Sequence, residues 1–370
     1  MKIVRIGEPQ TIISNPMSKH NYFGWPTAAR LKNGKIAVVA SGFRLKHVCP
    51  FGKTIISFSE NDGESYSFPT AVVDTSLDDR DGGILPFGES SVLVTSINDA
   101  IKYMRDSLSY AWLGTDYHDY IKSYLDTLTE EDEKKYYGSS FRVSHDNGAT
   151  FGPLYKAPIT SPHGPCLLSD GSIVWVGRIQ TNDESVPVCD CVCAYKLNTE
   201  TGESTYLGKI DDIYYEGEKL ISCEPHAIEL NDGSILCHIR AQGVATPERR
   251  RTFTIFQSIS KDGGVSWSKP EMILGREGGA PPHIFRHSSG ALISTYARRI
   301  RPYGILAMIS LDEGKTWSTE HEIYIGGESD DLGYPSCVEM PDGSLITVFY
   351  ARHTKQVPAE IYQQRWKLEY

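Results

Sequence analysis

The sequence predicts an all-β chain folded as a six-bladed β-propeller of four-stranded blades with one short helical insertion. Three observations carry that expectation. A hairpin grammar recurs six times, with starts near residues 26, 81, 165, 226, 283 and 335. Repeats of about 50–60 residues built of hairpins suit propeller blades. A second, turn-forming signature recurs four times between the hairpins. Finally, 33 glycines, 20 prolines and 11% aromatic residues supply the punctuation and the packing that many short strands need.

The hairpin unit is clearest at 222–240, Ser-Cys-Glu-Pro-His-Ala-Ile-Glu-Leu-Asn-Asp-Gly-Ser-Ile-Leu-Cys-His-Ile-Arg. Asp232-Gly233 between two apolar runs is a strong hairpin signal, because such turns need φ > 0. The stretches 164–178 and 333–352 repeat it around Asp170-Gly171 and Asp342-Gly343. Looser copies turn at Asn33-Gly34, near Phe87-Gly88 and at Ser289-Gly290.

Taken in order, residues 1–14 read as a strand with no partner of their own, and 360–370 as a third strand of the last unit. Pairing residues 2–13 beside 360–369 removes open edges and makes the chain one closed domain, 1–370. The long interval between 81 and 165 holds an insertion, 98–138. There Ile101, Met104 and Leu108 fall at helical spacing, and Thr129 followed by an acidic run resembles a capped helix start. The insertion leaves from the end of a second strand, which places it on the face of the strand starts as a lid.

Composition narrows the function classes. A net charge of −10 argues against nonspecific nucleic-acid binding. No run of about 18 apolar residues occurs, and the first residues hold no apolar signal core, so neither membrane spanning nor secretion is expected. The eight cysteines sit mostly within apolar strands, which reads as reduced thiols and a cytoplasmic location. Cys189, Cys191 and Cys193 alternate, which on a strand puts all three on one face; small core residues and a metal site are the two readings. No cofactor is implied.

The turn signature reads Ser144-His-Asp-Asn-Gly-Ala-Thr-Phe151, Ser260-Lys-Asp-Gly-Gly-Val-Ser-Trp267 and Ser310-Leu-Asp-Glu-Gly-Lys-Thr-Trp317. The fourth copy, Ser59-Glu-Asn-Asp-Gly-Glu-Ser-Tyr66, has its acidic residue displaced by one. The Asp and Ser oxygens bond turn N–H groups and Gly takes φ > 0. Too few oxygens are present for a calcium loop. This is the Asp-box, and Asp-boxes on a six-fold repeat resemble the sialidase superfamily over essentially the whole chain.

That resemblance implies a tyrosine nucleophile activated by a glutamate, an aspartate acid/base and three arginines on a substrate carboxylate. Cys223-Glu224 followed by Arg240 resembles the family's glutamate and second arginine, and Gly333-Tyr334-Pro335-Ser336 its nucleophile segment. Arg298, Arg299 or Arg301 stands where the third arginine is expected. The family's Tyr/Phe-Arg-Ile-Pro segment appears as Phe23-Gly24-Trp25-Pro26, without its arginine. The acid/base aspartate expected shortly after Arg44 is also missing; His47, Arg80 and Asp81 are the candidates for these vacant roles.

The repeat itself adds a reading. Arg44, Arg178, Arg240, Arg298 and Arg352 all fall near the ends of second strands, which predicts a basic funnel for an anion. The strand starts on the same face carry Asp79, Arg80, Asp81, His163, Glu224, His226, His283 and Tyr334. The three histidines are candidates for substrate contact at the rim; zinc is disfavoured because they lack ligand spacing. The function expected is an exo-acting glycoside hydrolase of sialidase type on a terminal acidic carbohydrate. A same-fold glycosidase acting on a uronic acid, arabinose or rhamnose, and a non-catalytic carbohydrate-binding propeller, remain open. The oligomeric state is not legible.

Overall fold

The computed structural model describes residues 2–186, 189–245, 251–352, 354 and 358–369. Six antiparallel sheets follow one another around a central axis as the blades of a propeller. The first blade is Tyr22–Arg30, Ile36–Arg44, Lys53–Ser59 and Thr70–Val73. In the second and third blades the inner strand is broken in two, Asp79–Arg80 with Ile84–Phe87 and Ile159–Thr160 with Cys166–Leu167. The fourth and fifth blades begin with Ile221–Glu229 and His283–Arg286. The sixth runs Gly333–Glu339, Leu345–Ala351, Glu360–Glu369 and then Lys2–Ile13, so the first strand of the chain is the outer strand of the last blade.

What holds the ring together is a separate apolar layer at each blade-to-blade junction. Val39, Ile56, Ile84 and Val94 fill the junction of blades one and two, and Phe141, Trp175 and Tyr195 that of two and three. Val176, Ile239 and Phe256 lie between three and four, and Tyr296, Met308 and Ile255 between four and five. Ile305, Phe349 and Trp366 join five to six, and Phe23, Trp25, Ile36, Val348 and Tyr350 join six back to one. Central strands are therefore buried on both faces, which is why they read as continuous apolar runs rather than alternating ones.

The four recurrent turns share one hydrogen-bond pattern. Ser144 Oγ donates to Asp146 Oδ1 at 2.7 Å, Asp146 Oδ1 accepts from Thr150 N at 2.8 Å, and Gly148 takes φ 82°. In the first-blade copy Asn61, not the displaced Asp62, fills the aspartate's place: Ser59 Oγ donates to Asn61 Oδ1 at 2.9 Å, and Ser65 N to the same oxygen at 3.0 Å. An amide oxygen suffices because the turn asks only for an acceptor.

The insertion holds three helices, Ile101–Ser107, His118–Leu125 and Glu130–Tyr136, the last capped by a reciprocal Thr129–Asp132 pair. The second of these carries no signal read from the sequence. Trp112, Ile121 and Leu125 pack with Leu45, Cys49 and Leu77 of the first blade's loops. Six of the eight cysteines are free thiols, as expected, and two differ from the reduced, one-face expectation. Cys189 lies ahead of the strand Val192–Leu197 and is bonded to Cys191 as a disulfide, with Cα atoms 5.2 Å apart. Residues two apart on an extended strand are about 6.6 Å apart, so the chain turns here instead of running straight.

Candidate functional site

The inner strands are kinked at a repeated position, and the kink aims side chains. Trp25, Asp81, Glu224 and Tyr334 all have positive φ (54°, 51°, 48° and 50°), and Trp25, Glu224 and Tyr334 precede a proline. The strand pairing slips at three of them, between Gly24 and Thr27, Cys223 and His226, and Gly333 and Ser336. Such bulges re-aim a side chain, and left-handed backbone at a bulky residue persists only where the surroundings enforce it.

Two of these four residues meet across the axis. The Tyr334 hydroxyl donates to Glu224 Oε1 at 2.7 Å, and Arg240 Nη1 donates to Glu224 Oε2 at 2.5 Å while lying 3.4 Å from the Tyr334 oxygen. Burial pushes the Glu224 carboxyl up, but Arg240, the Tyr334 hydroxyl and Arg299 overcome it and hold the group below the usual range. Burial and the facing Glu224 charge raise the Tyr334 phenol well above its ordinary value. The result is a neutral phenol hydrogen-bonded to an ionised carboxylate, the arrangement of a nucleophile with its base. The Arg299 guanidinium lies 5.6 Å from the centre of the Tyr334 ring.

Asp81 faces the same space with a different environment. Burial raises its carboxyl to about 6; Glu224 and Asp99 add to this, and Arg80 and Arg44 oppose it. Its Oδ1 makes no hydrogen bond, and the nearest cation, Arg80 Nε, is 3.5 Å away. Arg80 is shared with Asp99 and Asp78 and stacks on Trp25, its Cζ 4.5 Å from the ring centre.

The predicted arginine funnel is not what the fold assembles. Of the five, Arg240 alone meets Glu224 and Tyr334. Arg44 is fully buried and bonded to both oxygens of Asp78, at 2.5 and 2.7 Å, beneath Trp25. Arg178 pairs with Asp190, Arg298 bonds the Pro302 carbonyl, and Arg352 pairs with Asp331. Equal repeat positions set where a side chain starts; the acceptor on the next element decides where it goes. Of the candidates for the third arginine, Arg299 lies at the tyrosine, whereas Arg301 is exposed and covers Tyr303.

The three histidines also differ from a rim position. His163, His226 and His283 are 1%, 8% and 7% exposed and pack ring to ring on the axis, with centroids 4.5–5.7 Å apart. His163 bonds Thr27 Oγ1, His226 Nδ1 accepts from Ile284 N, and His283 bonds Ser336 Oγ. They tie five blades together as a neutral plug, since burial lowers the pKa of each; that of His226 falls to about 4. The only group of three or more His, Cys, Asp or Glu side chains close enough for a metal, among the described residues, is Cys189, Cys191 and Cys193, and the disulfide between the first two leaves a single free thiol there. His47 sits at the edge of Trp25, 4.8 Å between ring centres, and bonds Asp331 and Tyr22.

Sequence reasoning missed Trp25 as the ring on which Arg44 and Arg80 lie, Asp331 as the acceptor for Tyr22 and Arg352 and the partner of His47, and the Arg251–Phe253 corner. The Arg249-Arg250-Arg251 run was a visible signal for that corner.

Comparison with known proteins establishes the architecture. No family model matches the sequence, and neither does any curated protein. Among solved structures, a protein of unknown function from Dyadobacter fermentans superposes with a TM-score of 0.76 at 18% identity, over 99% of both chains. The intramolecular trans-sialidase of Ruminococcus gnavus, complexed with oseltamivir carboxylate, gives 0.64 at 13% identity over 97% of both chains. The α-L-arabinanase of Penicillium chrysogenum, complexed with arabinobiose, gives 0.59 at 12% over 98% of both. The fold is thus that of the sialidase-like glycoside hydrolase propellers. At such identities the likeness speaks to fold, and function rests on the site.

Proposed function

We propose that this propeller is an exo-acting glycoside hydrolase that cleaves a terminal, carboxylate-bearing sugar, with Tyr334 as nucleophile and Glu224 as its base. One observation carries the reading: Tyr334, Glu224 and Arg240, from two non-adjacent blades, converge in one hydrogen-bonded set at the axis. A phenol of ordinary pKa about 10 is a weak nucleophile at neutral pH and needs a base in contact. Glu224 takes the phenolic proton as the Tyr334 oxygen attacks the anomeric carbon. A neutral nucleophile approaches a carbon beside a carboxylate without the repulsion that an aspartate or glutamate would meet.

Asp81 serves as the acid. With its carboxyl raised to about 6, it is protonated in mildly acidic solution and gives its proton to the departing glycosidic oxygen. Water then attacks the glycosyl–tyrosine bond with Asp81 as base, and Glu224 returns the proton to Tyr334. Arg240 and Arg299 hold the substrate's carboxylate through charge-assisted bonds.

A second reading keeps the fold and the acid but changes the sugar. Gly24 and Trp25 occupy the segment where the resemblance expects the first arginine, which favours a terminal sugar less dependent on an acid group. A panel of aryl α-sialosides, β-glucuronides, α-L-arabinofuranosides and α-L-rhamnosides separates the readings. Release of the acidic sugars, lost in Tyr334→Phe, is the expected result. Release of neutral sugars alone selects the second reading, and no release with retained sugar binding selects a non-catalytic role.

A further inference from the structure

Three cysteines of the third blade carry a chemistry that the axial site does not use. Cys189, Cys191 and Cys193 stand where the loop after the strand Ile173–Ile179 returns into the strand Val192–Leu197. Their sulfurs lie within 4.8 Å of one another. Cys189 and Cys191 form a disulfide, and the free Cys193 Sγ lies 3.6 Å from Cys191 Sγ. The three differ in access. Cys191 and Cys193 are 4% and 2% exposed among Phe141, Trp175 and Tyr195, between blades two and three, whereas Cys189 is only half-buried.

A disulfide with a third sulfur in contact has a second way to pair. A thiolate breaks a disulfide by bonding one of its sulfurs and expelling the other, so exchange needs contact with the sulfur that is kept. Cys191 is that sulfur in both pairings. The backbone suits each of them. Cys189 and Cys191 have Cα atoms 5.2 Å apart. Residues two apart on an extended strand, as Cys191 and Cys193 are, fall about 6.6 Å apart, inside the disulfide range of about 4.4–6.8 Å. Burial pushes the Cys193 thiol up, with the Lys209 charge opposing it, so this thiol is quiet while it stays in the core. A thiol at Cys189 meets solvent.

We infer that the trio is a thiol-exchange site, which keeps a free thiol in the core as Cys193 and delivers it to the surface as Cys189, where it takes up a low-molecular-weight thiol as a mixed disulfide. In the first step Cys193 loses its proton and its sulfur bonds Cys191 Sγ. The Cys189–Cys191 bond breaks, and its electron pair leaves on the Cys189 sulfur, which takes up a proton. One thiol and one disulfide stand on each side, so this step needs no oxidant. In the second step the Cys189 thiolate attacks a small disulfide RSSR; a Cys189–SR bond forms, and the other half departs as RS⁻ and is protonated. Tyr334 and Glu224 take no part, so the site stands apart from the hydrolase reading.

The test is mass spectrometric, on the full chain without added reductant, with glutathione disulfide as the probe. Trypsin cuts after Arg178 and Lys196, so the peptide 179–196 holds these three cysteines and no other. Alkylation of the untreated, denatured protein should find one free thiol in this peptide. After incubation of the native protein with the probe, the peptide should carry one glutathione on Cys189, with Cys191 bonded to Cys193. Cys193→Ser should slow the uptake at least about 10-fold, because Cys189 then stays locked to Cys191. The double variant Cys191→Ser with Cys193→Ser frees Cys189 outright and should react faster than wild type, which separates a locked thiol from a misfolded blade. Three free thiols in the untreated peptide, glutathione on Cys193, uptake unchanged in Cys193→Ser, or a double variant slower than wild type each overturns the inference.

Discussion

Glu224 and Asp81 begin from the same local geometry and end in opposite chemical states. Each sits at a left-handed kink of an inner strand, with φ of 48° and 51°, and each faces the same axial space. Glu224 accepts from Tyr334 and Arg240 and stays ionised. Asp81 has one unbonded oxygen and a single cation that Asp78 and Asp99 also claim, so burial wins and its carboxyl rises to about 6. Two carboxyl groups pushed apart by their surroundings are the physical basis for the proposed division into base and acid. The backbone places the groups; the partners set their charge.

The severest way to break this contrast is to remove the Glu224 side of it. Tyr334→Phe and Glu224→Gln should each leave the fold intact and reduce kcat by about 10²-fold or more, and the double variant should be little worse than either. Steady-state kinetics on the aryl glycoside that is turned over gives the answer, and a near-normal Tyr334→Phe moves the search to Asp81 and His47.

Asp81→Asn should lower kcat by roughly 10²-fold for substrates with poor leaving groups, and less for activated aryl glycosides that need no acid. Its pH profile is the sharper readout. If protonated Asp81 is required, wild-type kcat/KM falls as pH rises above about 6, while the acidic limb belongs to Glu224. Asparagine should erase the alkaline limb and keep the acidic one.

The same substitution should stabilise the protein. A carboxyl raised from about 4 in the unfolded chain to about 6 when folded contributes stability fully present below pH 4 and lost as pH rises through 6. At pH 7 the ionised group costs on the order of 2 kcal/mol, an upper bound for a side chain 18% exposed. Asp331 runs the other way: burial raises its carboxyl, but His47, Arg352 and Tyr22 bring it down to about 2, so its contribution holds above pH 4 and is lost towards pH 2. Melting curves from pH 4 to 8 should rise and flatten in Asp81→Asn, and Asp331→Asn should instead lose stability at neutral pH.

The smallest effect tunes the contrast rather than breaking it. Asp99, at the base of the helical insertion, raises Asp81 by its charge and shares Arg80 with it. Asp99→Asn removes a like charge and leaves Arg80 more fully to Asp81, so the alkaline limb should move to lower pH by less than one unit. An unmoved limb would show that the insertion covers the first blade without adjusting the acid.

The insertion's own signals were legible only in part. Thr129 with its acidic run and the apolar spacing at Ile101, Met104 and Leu108 announce two helices, but His118–Leu125 between them has no cap bond and weak punctuation. Its burial against Leu45 and Cys49 is a tertiary matter. Removal of this segment would uncover Leu45, Cys49 and Leu77.

The sequence by itself determined the six blades, their turns, the strand that closes the ring, and the register positions of Glu224, Arg240 and Tyr334. Those features repeat, and repetition turns local propensity into a global pattern. Only the tertiary structure decided that Arg44 is taken by Asp78 while Arg240 reaches Tyr334, and that His163, His226 and His283 are a buried plug instead of a rim. It also decided that Arg251 joins Arg240 and Arg299 about Phe253. Each of these depends on which group a neighbouring blade presents within hydrogen-bond or ring-contact distance. A repeat fixes the direction of a side chain along its own strand, but carries no record of its partner from another blade.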